Sequence, residues 1–373
     1  MIYLDYAANT PVDEEVLRTF CDISAAYLAN PNSSHQLGQD AKARLDLSTA
    51  KISKLLDINA SEIIYTSGAS ESNNLAIKGI ASKYKKYGKH IITTYLEHSS
   101  VTSPIAVLQA QGYDIDFVDI LANGLVDLEH LKELLREDTI LVSISYVDSE
   151  LGIVQPIEEI GTLLSVHPHC HFHVDATQAV GKISTTLSTI DLVTFAPHKF
   201  YGLNGCGILI KKDKVLLDPL IHGGVSTTAF RSGSPTLALI VSIDKALELA
   251  LAHRDSRYKH VSHLNKLLRE HLSSYSSVKI NSTSKSMPFI LNLSLKGMNA
   301  VALQSELEKH EIYVATKSAC CTLNTPSRPV YALTKDRKLA LSTLRISLSH
   351  LTTEDDITRF LECFDACYKK LIK

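Results

Sequence analysis

Short apolar runs, broken by glycine and proline, alternate along this chain with longer stretches of helical spacing. Runs at Ile63–Thr66, His90–Tyr95, Tyr113–Ile120, Thr139–Val147, Phe172–Asp175 and Asp191–Ala196 read as buried strands. Ala41, Leu45, Ile52, Leu55 and Leu56 repeat at helical spacing, with Ser33 or Ser34 placed to cap that helix. Val16, Leu17 and Phe20 mark an earlier helix, and Leu128–Leu135 a short later one. Past residue 236 the pattern changes. Helices are expected at Thr236–His253 and Ser256–Ser274, then strands at Val278–Asn281 and Pro288–Leu295 and a helix at Ala300–His310. Leu344–Ser349 reads as a last strand, and TTEDD opens the last helix with Thr352 or Thr353 as its cap. The expectation is an open α/β sheet followed by a second, smaller unit.

Composition narrows the class. A chain of 373 residues exceeds one average domain, and 45% hydrophobic with 21% charged residues is ordinary for a soluble globular protein. Net charge −2 and a pI near 6.8 give no basic surface for nucleic acid. The amino terminus, MIYLDYAANT, has neither a cationic leader nor an apolar core, and no run approaches the length of a membrane span. Seven scattered cysteines without a CxxC fit reduced, cytoplasmic thiols.

The candidate chemistry lies at strand ends, where an open α/β sheet binds ligands. One strand ends in Asp175, with Gln178 just beyond it. The next stops at Pro197, and His198 and Lys199 follow in a glycine-rich turn. A lysine and a carboxylate brought together there suit pyridoxal 5′-phosphate, which needs an amine for its Schiff base and an anion to keep its ring nitrogen protonated. TSGASESNNLAIKG (Thr66–Gly79) is a glycine turn opening a helix, whose free N–H groups suit a phosphate, with the Ser70 hydroxyl nearby. The crowded HPHCHFH (His167–His173) raises a metal site, but successive strand residues point to opposite faces and cannot all converge. No metal is expected. YVATKSACCT (Tyr313–Thr322) reads as an exposed loop of small residues suited to a mobile cysteine nucleophile.

Taken together, IYLDYAA, NPNSSH, TSGASESNN, VDSELGIVQPI, the Asp175–Lys199 block, HGGVSTTAFRSGSPT and the SAC loop resemble the class V aminotransferase superfamily, and within it the cysteine desulfurases. The resemblance runs from Ile2 to about Asp356. It implies the type I fold of pyridoxal-phosphate-dependent transferases. A large, mainly parallel-sheet domain at residues 14–250 would be joined to a small α+β domain made of residues 1–13 and 251–373, which carries the Cys320 loop. It also implies roles. Lys199 is the Schiff-base lysine, Asp175 pairs with the pyridinium, and Gln178 and Ser149 face the phenolic oxygen. Ala69, Ser70 and His198 sit at the phosphate, and His98 stacks on the ring and assists proton transfer. Ser234 reaches the partner's phosphate across a homodimer, Arg345 holds the substrate carboxylate, and Cys320 is the nucleophile. The implied reaction takes L-cysteine to L-alanine and leaves a persulfide on Cys320, for delivery to an iron–sulfur scaffold or another sulfur acceptor. The chain departs from the family pattern at Asp148-Ser149, where two asparagines are usual, and at Ala196, in place of a phosphate-binding serine. It departs again at Ser226-Thr227, and at Lys317, where glycine is usual and a positive charge beside the thiol would lower its pKa. Selenocysteine lyase, another class V activity and a weakened homologue that acts by binding partners are the alternatives. Thr325–Lys338 is expected to continue as loop, and Cys363 and Cys367 to be core.

Overall fold

The computed structural model describes residues 1–318 and 325–371. Seven strands form the central sheet: β1 (Ile63–Thr66), β2 (His90–Thr93), β3 (Asp114–Phe117), β4 (Thr139–Ser145), β5 (His171–Asp175), β6 (Leu192–Phe195) and β7 (Gly207–Lys211). Their order across the sheet is β1-β7-β6-β5-β4-β2-β3. Pairing is antiparallel on both sides of β7 and parallel elsewhere, so β7 alone opposes the rest. The carboxyl ends of the other six therefore share one edge. Along it Ser145 stands beside Asp175, and Asp175 beside Thr194.

The sheet is covered on both faces, which explains why its strands read as nearly continuous apolar runs. Ile63, Ile92, Val142, Ile144, Val193 and Phe195 join one core, while their neighbours Ile64, Ile91, Leu141 and Leu192 join another. This is the two-residue alternation of a strand with a core on each side. Helices Ala69–Tyr84 and Ser99–Ala110 fill the second core through Leu75, Ile77, Ile80, Val101 and Ile105. The first core receives Ile157 and Ile160 from helix Ile157–Leu164 and Ile243 and Leu247 from helix Leu237–Ala252.

A three-stranded antiparallel sheet follows: β8 (Val278–Ile280), β9 (Ile290–Leu295) and β10 (Thr343–Ser347), with β9 in the middle. Leu291, Leu293, Leu344, Ile346 and Phe360 extend the first core into this unit. The amino-terminal strand Ile2–Tyr3 pairs parallel with Ile312–Tyr313, and Asp5 bridges Ser347. The first ten residues are thereby carried back toward the carboxyl edge of the large sheet. Among the described residues no helix is long and apolar enough to cross a membrane.

Two expectations need correction. His35, not Ser33 or Ser34, caps helix Gln36–Leu56, its Nδ1 accepting the Gly38 N–H at 3.3 Å. Thr325–Lys338 is not all loop, because helices run over Arg328–Thr334 and Arg337–Leu341. Ser327 Oγ accepts the Val330 N–H at 3.2 Å, and Asp336 accepts from Lys338 and Leu339. Local caps of this kind start short helices that carry too few residues to show a periodic face.

Candidate active site at the carboxyl edge of the sheet

A cavity of about 380 Å³ opens where the strands end. Lys199, Asp175, Gln178, His198 and Arg345 line it, together with Ala69, Ser70, His98 and Ser149. Nine of the positions expected from the sequence are thus brought together. Ser234 is exposed, accepts from Asn30 Nδ2 at 3.4 Å, and does not line this cavity. Cys320 lies outside the described residues, but Ser318, two positions before it, is on the cavity wall.

Asp175 is the last residue of β5 and is buried. Its Oδ2 accepts from Asn73 Nδ2 at 2.8 Å and its Oδ1 from the Thr177 N–H at 3.0 Å. Asn73 Nδ2 also donates to Ser100 Oγ at 2.8 Å, and Ser100 Oγ lies 2.8 Å from His98 Nδ1. A partly buried polar chain therefore links His98 to Asp175. Asn73 was legible only as part of the TSGASESNN motif. It lies one turn inside helix Ala69–Tyr84, on the side that returns to the sheet.

That helix starts at the cavity, and Ser67, Gly68, Ala69 and Ser70 line the opening. Its N-cap is Gly68. A Cβ on Gly207 would come within 2.6 Å of the Gly68 backbone, so only glycine allows β7 to pass this close to the turn. The first-turn N–H groups and dipole make this end a natural anion site. Burial disfavours a charge on Glu71, yet hydrogen bonds from Arg231 (2.9 Å) and the Ser67 N–H (2.7 Å) hold its carboxyl below the usual range. That pair ties the expected RSG segment to the helix.

Lys199 closes a short 3₁₀ turn begun by Pro197. Its Nζ donates to the carbonyl oxygens of Ala7, at 3.0 Å, and Ala8. Gln178 Nε2 donates to the same Ala7 oxygen at 2.9 Å. Burial, then the charges of Lys199 and Lys182, pushes the His198 imidazole down to about 4, so the ring is neutral near pH 7. Arg345, on β10, is fully buried. Its Nη2 donates to Asp5 Oδ1 at 2.7 Å and its Nη1 to the Ser149 carbonyl at 2.8 Å. The Nε–H is buried without a partner.

Asp148, Ser149 and Lys317 each make specific contacts at the site. Asp148 accepts the backbone N–H groups of Glu150, Leu151 and Ile153, fixing the loop that presents Ser149. Burial raises its carboxyl to about 6 against those donors. Ser149 Oγ lies 3.1 Å from Ser318 Oγ. Lys317 Nζ donates to Thr325 O at 2.9 Å and Oγ1 at 2.8 Å, joining the two flanks of residues 319–324. Ala196 is buried and does not line the cavity. In the histidine cluster, His171 packs on Tyr84 and His169 stacks on Tyr87, both with ring centroids 4.1 Å apart. His173 is held between Ser143 and Thr194, and burial pushes it down to about 4. Among the described residues no three His, Cys, Asp or Glu side chains are grouped to hold a metal. Cys367 packs in the core, with Cys363 partly buried beside it.

Glu97 is a further buried group behind the site that the motif reading passes over. Its Oε1 accepts from Thr94 Oγ1 (2.8 Å) and the Ser145 N–H (2.9 Å), while Oε2 has no partner. Burial raises this carboxyl to about 8, with the nearby Asp175 charge adding to the effect. The folded protein therefore binds a proton that the unfolded chain, with an ordinary glutamate value of 4.5, gives up. The stability that Glu97 contributes should fall as pH rises through that window and level off above about 8, while His173 and His198, held neutral in the fold, pull the other way below about 6.5. By chemical denaturation, wild-type stability relative to Glu97→Gln should therefore fall by up to about 2–3 kcal/mol between about pH 5.5 and 7.5. A difference between the two that does not change with pH would show that Glu97 does not hold the proton.

The family model described as "Aminotransferase class-V" matches residues 2–360. A "NifS/IcsS protein homolog" of Lactobacillus delbrueckii subsp. bulgaricus is 35% identical over 379 residues, covering 100% of this chain and 98% of that protein. A protein named "Cysteine desulfurase IscS" from Buchnera aphidicola is 38% identical over 365 residues, 95% of this chain and 90% of its own. Among solved structures, a "NIFS-LIKE PROTEIN" superposes with TM-score 0.93 at 32% identity, over 99% of this chain and 100% of that one. Another, titled "SspA in complex with cysteine", gives TM-score 0.83 at 32% identity, over 95% and 100%. With a site of this composition at the carboxyl edge of the sheet and relatives that match end to end, the chain belongs to the aminotransferase class-V family and, within it, to the NifS/IscS-like cysteine desulfurases.

Proposed function

We propose that the protein binds pyridoxal 5′-phosphate in this cavity and moves the sulfur of L-cysteine onto Cys320, releasing L-alanine. The observation that carries the reading is the convergence of Lys199, Asp175, Gln178 and Arg345 on one cavity whose wall includes Ser318. The residues fit the cofactor. An amine stands at Lys199, a buried carboxylate at Asp175, a glycine-framed helix start at Gly68–Ser70, and a neutral His198 beside it. When bound, the cofactor supplies an electron sink that makes the substrate's Cα proton acidic and its Cβ–S bond breakable.

Each side chain then has a task. Lys199 would hold the cofactor and would carry the substrate's Cα proton on its Nζ. Asp175, oriented by Asn73 and Thr177, would keep the ring nitrogen protonated. Ala69, Ser70 and His198 would hold the phosphate, Gln178 and Ser149 the phenolic oxygen, and His98 would cover the ring. Arg345 takes the substrate carboxylate, its guanidinium pre-oriented by Asp5 and the Ser149 carbonyl. The Cys320 thiolate attacks the substrate sulfur and an S–S bond forms as Cβ–S breaks. The electron pair of the broken bond stays on carbon, which is protonated to give alanine, and the sulfur remains on Cys320 as a persulfide.

The large unit, residues 14–250, supplies the cofactor side of the cavity, and residues 1–13 and 251–373 supply Arg345 and the Cys320 segment. The functional unit is a homodimer in which Ser234 completes the partner's phosphate site. Its support is the exposure of Leu28 (94%) and Val225 (79%) beside the exposed Ser234 segment. The persulfide passes to an iron–sulfur scaffold or another sulfur-acceptor protein. The setting is the cytoplasm, in keeping with the free thiols at Cys21, Cys170, Cys206, Cys363 and Cys367.

Purified protein supplied with pyridoxal 5′-phosphate and a thiol reductant should release alanine and sulfide from L-cysteine in equal amounts. Bound cofactor with no alanine formed would favour a homologue that acts by binding partners.

A further inference from the structure

Lys182 is a buried cation with no place in the reaction described above. Its Nζ donates to Gln178 Oε1 at 2.7 Å. The chain reaches this position through a turn after β5, in which the Ala179 and Val180 N–H groups both donate to Ala176 O. Gly181 has φ +77°, and a Cβ there would lie 2.9 Å from Ala250 Cβ and 3.0 Å from Phe200 Cβ. Only glycine allows the turn to lie this close to its neighbours and bring Lys182 back beneath Gln178.

An amide has one accepting and one donating end, and a lysine ammonium can only donate. With Oε1 held by Lys182, Nε2 must face the other way. It points at Ala7 O, which also accepts Lys199 Nζ. The Gln178 donor and the lysine that would carry the cofactor thus meet at one oxygen atom. A flipped amide would set its N–H groups against the Lys182 ammonium and its oxygen toward the site. Burial, then the charges of Lys199 and Arg345, pushes the Lys182 amine down to about 7, so the lock is strictest below that pH, where the ammonium has no lone pair to accept a flipped amide.

We propose that Lys182 is a positioning residue that fixes the Gln178 amide with its N–H toward the cofactor's phenolic oxygen. The proposal rests on the cofactor reading above. A donor at that oxygen draws negative charge from it, so the proton shared between the oxygen and the Lys199 nitrogen is released at lower pH. Losing the donor should raise the pH midpoint of the cofactor's visible absorption band.

The test is a spectrophotometric pH titration of the protein reconstituted with pyridoxal 5′-phosphate. Lys182→Met should raise the midpoint by about half to one pH unit, the equivalent of one ordinary hydrogen bond. Gln178→Leu should raise it by a similar amount, and the double variant by no more than either, because both remove the same donor. Lys182→Arg keeps a side chain that can only donate, so its midpoint should stay near wild type. This arm decides the matter if Lys182→Met fails to fold. An unmoved midpoint in Lys182→Met, additive shifts in the double variant, or a Lys182→Arg shift as large as that of Gln178→Leu would each overturn the proposal. Wild-type protein that shows no visible band with the cofactor would instead overturn the cofactor reading.

Discussion

Lys199→Ala protein is expected to turn over L-cysteine about 10³-fold or more slowly than wild type, the range for removing a positioned proton-transfer group together with a covalent attachment point. The fold should survive. Lys199 Nζ gives up bonds to Ala7 O and Ala8 O, but the amino-terminal segment keeps Gln178 Nε2 on Ala7 O and the Thr10 N–H on His198 O at 3.0 Å. Loss of such bonds costs about 1 kcal/mol each, far less than the effect on rate. The variant should still take up the cofactor through the helix start at Gly68–Ser70 and through Asp175, but borohydride should no longer fix it to the chain. Turnover within tenfold of wild type, or cofactor fixed at another lysine, would remove Lys199 from its role.

Replacing the thiol that receives sulfur should be equally damaging. Cys320→Ser is expected to bring sulfur release to background, about 10³-fold or more below wild type, since serine neither attacks the substrate sulfur at neutral pH nor holds a persulfide. Cys321→Ser should keep most of the activity. It is Cys320 that matches the family's Ser-Ala-Cys pattern. Ser318 stands on the cavity wall beside Ser149, and Lys317 joins Thr325 across the segment's base. If Cys321→Ser were inactive and Cys320→Ser active, the assignment would be reversed.

Lys199 and Asp175 are legible in the sequence itself, because their chemistry sits at strand ends and strand ends are marked by punctuation, while most other site positions rest on the family resemblance. Pro197 stops β6 just before His198 and Lys199, and Asp175 is the first acid after an apolar run. The α/β class followed from the same alternation, and the mainly parallel sheet from the family resemblance. What stayed hidden depends on the second layer of contacts. Nothing local distinguishes Lys182 from an exposed lysine, since its burial comes from packing around a glycine turn against Ala250 and Phe200. Asn73 looks like an ordinary polar helix residue until the helix is laid against β5. β7, a short Gly-Ile-Leu-Ile-Lys run just past Asn204-Gly205, is the antiparallel member of the sheet, a direction set only by its pairing with β1 and β6. The helices after residue 327 depend on single caps at Ser327 and Asp336. Asp5 was visible in the IYLDYAA motif, but its pairing with Arg345 across 340 residues is a matter of tertiary structure alone.

The measurement that bears most directly on the proposed reaction is mass spectrometry of the cofactor-loaded protein after a single turnover with L-cysteine and no reductant. One alanine should appear per sulfur retained, and the peptide carrying Cys320 should be heavier by one sulfur atom at the earliest time points, before any transfer to Cys321. Alanine formed without added sulfur on that peptide, or sulfur found first on another cysteine, would contradict the account.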